Sequence, residues 1–146
     1  MAFLSNKLYV IGGYGEEGPL ATCERLDMKT LKWSAMKPMR KQRFNLGVTV
    51  AEGSIYAVGG RNNEESLDSL EIFNPKTGKE WTSVSASMQE ARNEFGIATG
   101  DKKIYCLGGR GVTSIEEFDI AEKEWKCIGS MGDNHFCISA VMYPPV

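Results

Sequence analysis

One histidine, His135, serves the whole 146-residue chain. That scarcity excludes the multi-histidine centres by which proteins commonly hold catalytic zinc or copper. It also leaves a single imidazole base for any serine or cysteine nucleophile, and no G-x-S-x-G elbow is written anywhere. The four cysteines (23, 106, 127 and 137) include no C-x-x-C pair, and no N-x-S/T sequon occurs. The cysteines therefore read as small buried fillers in a reducing, cytoplasmic setting. No apolar run approaches the ~18 residues of a membrane helix. The start, Met1-Ala2-Phe3-Leu4-Ser5-Asn6-Lys7, lacks the basic head and long apolar core of a signal peptide. A net charge of −2 gives no reason to expect nucleic acid or a membrane as partner. The chain reads as non-enzymatic, with no metal and no cofactor.

Glycine, by contrast, is abundant, with 16 residues. Six of them form three doublets, each closing a short apolar stretch: Leu8-Tyr9-Val10-Ile11-Gly12-Gly13, Ile55-Tyr56-Ala57-Val58-Gly59-Gly60 and Ile104-Tyr105-Cys106-Leu107-Gly108-Gly109. The doublets begin at positions 12, 59 and 108. After each come a glutamate (Glu24, Glu71, Glu116), a tryptophan (Trp33, Trp81, Trp125) and a methionine (Met39, Met88, Met131), in that order. A period of this size with apolar strands and glycine turns marks a propeller blade. The units run roughly over 1–42, 43–91 and 92–133, with 134–146 opening a further one.

Residue type assigns roles. The doublet lets the chain leave a crowded strand through backbone angles that glycine alone adopts freely. The tryptophan offers an apolar face on which one blade packs against the next. A carboxylate within an apolar strand needs a partner, and Arg43 and Arg92 are the candidate partners for the recurring Glu24, Glu71 and Glu116. In the first unit little precedes Lys7 to serve as a first strand. The tail, Phe136 to Tyr143, matches the first strand of a further unit, with Cys137 at the position of Gly47 and Gly96. The strand count is then three, four, four and one.

Gly13-Tyr14-Gly15-Glu16-Glu17-Gly18 satisfies G-x-G-x-x-G after a strand. A dinucleotide site requires a helix next, to hold the pyrophosphate at its N-terminus. Pro19-Leu20-Ala21-Thr22 leads into a strand instead, and Glu16 and Glu17 would repel phosphate.

The doublets, the spaced Trp and Met and the intervening Glu together resemble the kelch repeat over nearly the whole chain. The resemblance implies an all-β fold of four-stranded antiparallel propeller blades, three blades' worth of them. It is nearest to the kelch domains of BTB-BACK-kelch proteins, the substrate receptors of cullin-RING ubiquitin ligases, which hold a peptide of their target. No BTB or BACK segment is present here, so any cullin contact would need a region this chain lacks. An actin-binding or cytoskeletal scaffold of kelch type is the alternative. Three blades are half the usual six, which implies a piece of a longer propeller or a homodimer completing a six-bladed ring.

Strand alternation puts the loops between second and third strands on the same face as the blade-to-blade connections. That face is where the resemblance places a protein or peptide ligand. Its candidate contacts are Tyr14, Arg43, Asn45, Arg61, Asn63, Arg92, Asn93, Arg110 and His135. Arginine suits it because the planar guanidinium forks onto carboxylates.

Overall fold

The computed structural model describes residues 1–140. Its twelve strands form three sheets in which strand order follows chain order. Blade 1 holds β1 (Ala2–Leu4), β2 (Lys7–Gly15), β3 (Gly18–Asp27) and β4 (Lys32–Ala35). Blade 2 holds β5 (Gly47–Ala51), β6 (Ser54–Val58), β7 (Leu70–Phe73) and β8 (Thr82–Ser83). Blade 3 holds β9 (Gly96–Gly100), β10 (Lys103–Leu107), β11 (Ser114–Asp119) and β12 (Glu124–Ser130). Every pairing is antiparallel. Among the described residues there is no helix, and none long and apolar enough to cross a membrane.

The first unit is complete, which corrects the strand count. The Ser5–Asn6 turn, both residues at positive φ, folds Ala2–Leu4 back onto β2, pairing Ala2 with Tyr9. A three-residue strand without flanking glycine carries too little pattern to be read from sequence. The sheets therefore hold four, four and four strands. The expected tail strand is not seen over 136–140, and its remainder lies outside the described residues.

All six doublet glycines have positive φ, between 55° and 120°. A Cβ on Gly12 or Gly59 would meet the carbonyl oxygen of Arg43 or Arg92 at 2.5 or 2.7 Å, so steric room as well as backbone angle demands glycine. The G-x-G-x-x-G stretch lies in the β2–β3 hairpin, where Gly15 pairs with Gly18 and no helix follows.

Two apolar layers hold the three blades together. Tyr9, Ile11 and Cys23 of blade 1 face Ile55, Ala57, Phe73 and Trp81 of blade 2. Tyr56, Val58 and Leu70 of blade 2 face Ile104, Cys106 and Phe118 of blade 3, with Trp125 packed beside them. Trp81 and Trp125 thus pack back toward the preceding blade. Trp81 is 1% exposed and donates its indole N–H to the Lys37 carbonyl at 3.1 Å, whereas Trp33, with no described blade before it, is 53% exposed. Of the cysteines, Cys23 and Cys106 are buried and Cys127 and Cys137 exposed, so the filler reading holds for two of four. Burial pushes the Cys23 thiol up to about 11 and raises Cys106 as well, which keeps both as inert apolar volume.

Candidate rim site on the loop face

Two polar clasps tie the blade-to-blade connections to the doublets. Arg43 donates to the carbonyls of Gly59 (2.8 Å) and Ser69 (2.9 Å), to the Ser69 hydroxyl (3.0 Å) and to Glu71 (3.2 Å). Glu71 also accepts the backbone N–H groups of Arg40 and Lys41. The second clasp repeats the first. Arg92 donates to the carbonyls of Gly108 and Ser114, to the Ser114 hydroxyl and to Glu116, which accepts from Gln89 and Glu90. Burial pulls the Arg43 guanidinium below its ordinary range, partly offset by the Glu71 charge. The expected Arg–Glu pairing is present in both blades.

The same burial corrects the placing of Arg43 and Arg92 among partner contacts. Both are 0% exposed; every N–H direction of Arg43 is answered inside the fold, and Arg92 spends both terminal nitrogens there while its buried Nε has no acceptor among the described residues. Asn93 is likewise buried, donating to the Ser66 hydroxyl at 2.8 Å while its Oδ1 finds no partner. These three shape the face from beneath.

What the face presents is a set of aromatic and guanidinium groups. Tyr14, at the tip of β2 and 65% exposed, meets the Phe44 ring edge-on at 5.1 Å. The Arg61 guanidinium lies 5.8 Å from the same ring, and Phe44 and Arg61 exchange two backbone hydrogen bonds. Asn62 folds the loop by accepting from the N–H groups of Glu64 and Glu65, leaving Asn63 exposed at its tip. Arg110 extends over the Phe136 ring at 5.2 Å and binds Glu94 at 3.2 Å. Glu94 also accepts from Asn45, and it raises the Cys137 thiol after the larger effect of desolvation. Asn134 stitches the third loop by donating to the carbonyls of Gly109 and Val112.

His135 stands elsewhere in the repeat than the sequence register suggested. Gly13 and Gly60 donate to the carbonyls of Arg43 and Arg92, and Gly109 donates to that of His135. Asn45, Glu94 and Cys137 share positive φ two residues further on. His135 therefore occupies the clasp-arginine position, and Cys137 matches Asn45 and Glu94 rather than the glycines. The constant spacing from Met39, Met88 and Met131 carried this signal; aligning the tail on small residues hid it.

The structure thus gathers Tyr14, Asn45, Arg61, Asn63, Arg110 and His135 along one rim. Sequence reasoning missed Ser66, the partner of Asn93, which no repeat pattern marks. Among the six arginines, Arg61 alone makes no hydrogen bond or ion pair through its guanidinium among the described residues; its Nε is buried without an acceptor. A separate groove of about 390 Å³ runs along the inner strands β1, β5 and β9, crossed by a 2.7 Å bond between the Thr49 and Thr99 hydroxyls. No ionisable side chain lines it. No cluster of metal-binding side chains stands among the described residues.

Three blades with these repeated clasps match the KLHDC2/KLHL20/DRC7 Kelch-repeats domain over residues 1–140. The chain belongs to the kelch-repeat family. It is 35% identical to Kelch-like protein 26 of Danio rerio, over 87% of this chain and 23% of that protein. An F-box/kelch-repeat protein of Arabidopsis thaliana is 32% identical over 84% of this chain and 32% of its own length. Alpha-scruin of Limulus polyphemus is 31% identical over 94% of this chain and 15% of its own length. The chain spans about a quarter of the length of the Kelch-like protein it matches.

Proposed function

We propose that this chain is a non-enzymatic protein-binding module, and that its rim takes a peptide or loop of a protein partner. One observation carries the reading: the Arg61 guanidinium is stacked on an aromatic ring and has no anion of its own. A guanidinium so held is oriented in advance and loses little freedom when a carboxylate forks onto it. Tyr14 and Arg110 flank it as exposed groups of the kind that anchor interfaces. Glu16, Glu17, Glu64 and Glu65 edge the same loops, which favours a partner segment with one or two acidic residues over a polyanion.

The likeness to Kelch-like proteins supports a role as the target-recognising part of a cullin-RING ubiquitin ligase, joined through a region outside this chain. The match with alpha-scruin over nearly the whole chain supports a second role, as a cytoskeletal scaffold. Peptides selected from a random displayed library, titrated against wild type and Arg61→Ala, test the binding face. The expected result is enrichment of an acidic residue and loss of binding in the variant. Selected peptides that bind Arg61→Ala as tightly as wild type overturn it. Co-sedimentation with actin filaments separates the scaffold role from the ligase role.

A further inference from the structure

The junction between blades 1 and 2 carries a charge that the junction between blades 2 and 3 lacks. Arg25 pairs with Tyr9 in blade 1 as Ile72 pairs with Tyr56 in blade 2. Lys37 and Arg40 stand two before and one after Met39, where Ala86 and Gln89 stand around Met88. Lys79 precedes Trp81 by two residues as Lys123 precedes Trp125, and this is the one cation the junctions share. Four cations at the first junction thus correspond to a single one at the second.

The four border two adjoining grooves, and every lining residue lies within 25–82. The first groove, about 400 Å³, runs between β4 of blade 1 and the β7–β8 turn, with Arg25, Lys37, Ala35 and Met36 among its walls. The second, about 600 Å³, lies on the other side of that turn and is lined by Arg40 and Lys79. None of the four cations forms a salt bridge among the described residues. Arg25 donates its Nε to the Ser34 hydroxyl and Arg40 its Nε to the Trp81 carbonyl. Those bonds fix each stem and leave the terminal nitrogens without a partner among the described residues. Glu80 is the one carboxylate that lines either groove. Like charges gathered without counter-ions work against folding, so their concentration here calls for an anion from outside the chain.

We propose that these grooves form a second docking surface, which takes an extended acidic segment of a protein partner across the β7–β8 turn. Carboxylates of the segment meet Arg25 and Lys37 on one side of the turn and Arg40 and Lys79 on the other. Both arginines, with Nε committed, present their terminal nitrogens as a fork. An apolar side chain between the carboxylates rests on Ala35, which is exposed, and Met36, which is half-buried. A nucleic acid fits less well, because Phe73 and Trp81, 2% and 1% exposed, offer no ring face on which a base could stack. The surface shares no residue with the rim, so it stands or falls apart from the peptide reading at Arg61.

Amide chemical-shift mapping on the isotope-labelled chain tests it, with a synthetic peptide in which glutamates flank a single leucine. The peptide is expected to shift the amides of Arg25, Lys37, Gly78 and Lys79, and to do so equally in Arg61→Ala. Lys37→Glu/Lys79→Glu reverses two exposed charges that hold nothing in the fold, so circular dichroism should match wild type. Affinity should fall about tenfold or more in that variant. On wild type, the same peptide with glutamines for glutamates should leave the four amides unmoved. Shifts confined to the rim, or groove shifts that vanish in Arg61→Ala, overturn the proposal. So does the absence of groove shifts at about 1 mM peptide, the weak end of measurable affinity. Unchanged affinity in the folded double variant, or equal binding of the glutamine peptide, overturns it as well. Tighter binding of oligothymidylate at the same amides would make the partner a nucleic acid and not a protein.

Discussion

Arg43 and Arg61 flank the same blade, one before its first strand and one after its second, and they do opposite work. Arg43 is sealed in the fold with every direction of its guanidinium answered by a carbonyl, a hydroxyl or a carboxylate. Arg61 rests on Phe44 with no anion beside it. The difference follows the repeat. Arg43 has a counterpart in Arg92 with the same partners, while Arg61 has Tyr14 and Arg110 as its counterparts, each in a different local setting. Positions that recur carry the architecture, and positions that vary after each doublet carry the rim chemistry.

The largest effect should come from breaking a clasp. Arg92→Ala leaves the Glu116 carboxylate buried and unpaired and is expected to cost about 3–5 kcal/mol in urea unfolding. The double variant Arg92→Met/Glu116→Leu removes both charges and should recover most of that loss, because the isolated charge and not the missing bond dominates. Equal instability of the single and double variants would show that the arginine acts mainly by holding the Gly108 and Ser114 carbonyls. Next in size is Trp81→Ala, expected to cost about 3–4 kcal/mol through the lost contact and the cavity. Trp33→Ala should stay within about 0.5 kcal/mol. Similar losses at both would mean that Trp33 is buried in the isolated chain.

The contrast also explains what was legible in the sequence. Glycine doublets, the in-strand glutamates and the Arg–Glu pairing could be read because each states a steric or electrostatic demand that recurs on schedule. The first strand of blade 1 could not, since Ala2–Leu4 is held by register to Tyr9 and Leu8 and by a Ser–Asn turn, with no pattern of its own. The burial of Arg43 and Arg92 was implied by their pairing, yet loop position argued the other way. Three-dimensional packing decides between the two. His135 was misregistered because the tail lacks the glycine that fixes the register in blades 2 and 3; hydrogen bonding from Gly109 supplies the missing anchor.

Arg61→Ala sharpens the comparison from the other side. Arg61 makes no ion pair and covers part of one aromatic ring, so its removal should shift stability by no more than about 0.5 kcal/mol. Affinity for a library-selected acidic peptide should fall about tenfold or more, as expected when a charge-assisted fork is removed. Arg61→Lys should recover only part of the loss, because an ammonium cannot fork. A large drop in stability would move Arg61 into the class of Arg43.

The smallest effect lies on the opposite face, where the turns between third and fourth strands repeat with one chemical change. Asp27 accepts from the N–H groups of Lys29 and Thr30, and Asp119 from those of Ala121 and Glu122. Asn74 holds the same position in blade 2 with a neutral amide, accepting from Lys76. Backbone donation, led by Thr30 for Asp27 and by Glu122 for Asp119, keeps both carboxyls below their usual range. A carboxylate with a depressed folded pKa stabilises above its unfolded value of about 4, and that contribution is lost as pH falls through the lower folded value. Asp27→Asn/Asp119→Asn copies the blade 2 turn into blades 1 and 3. Its Tm should fall less steeply than wild type between about pH 4 and pH 2, with little difference near neutrality. Because both carboxylates are solvent-exposed and screened, the divergence should be small and should shrink further at high salt. Parallel Tm curves across that window would show that the backbone N–H groups hold amide and carboxylate equally well, and that the turn is set by geometry alone.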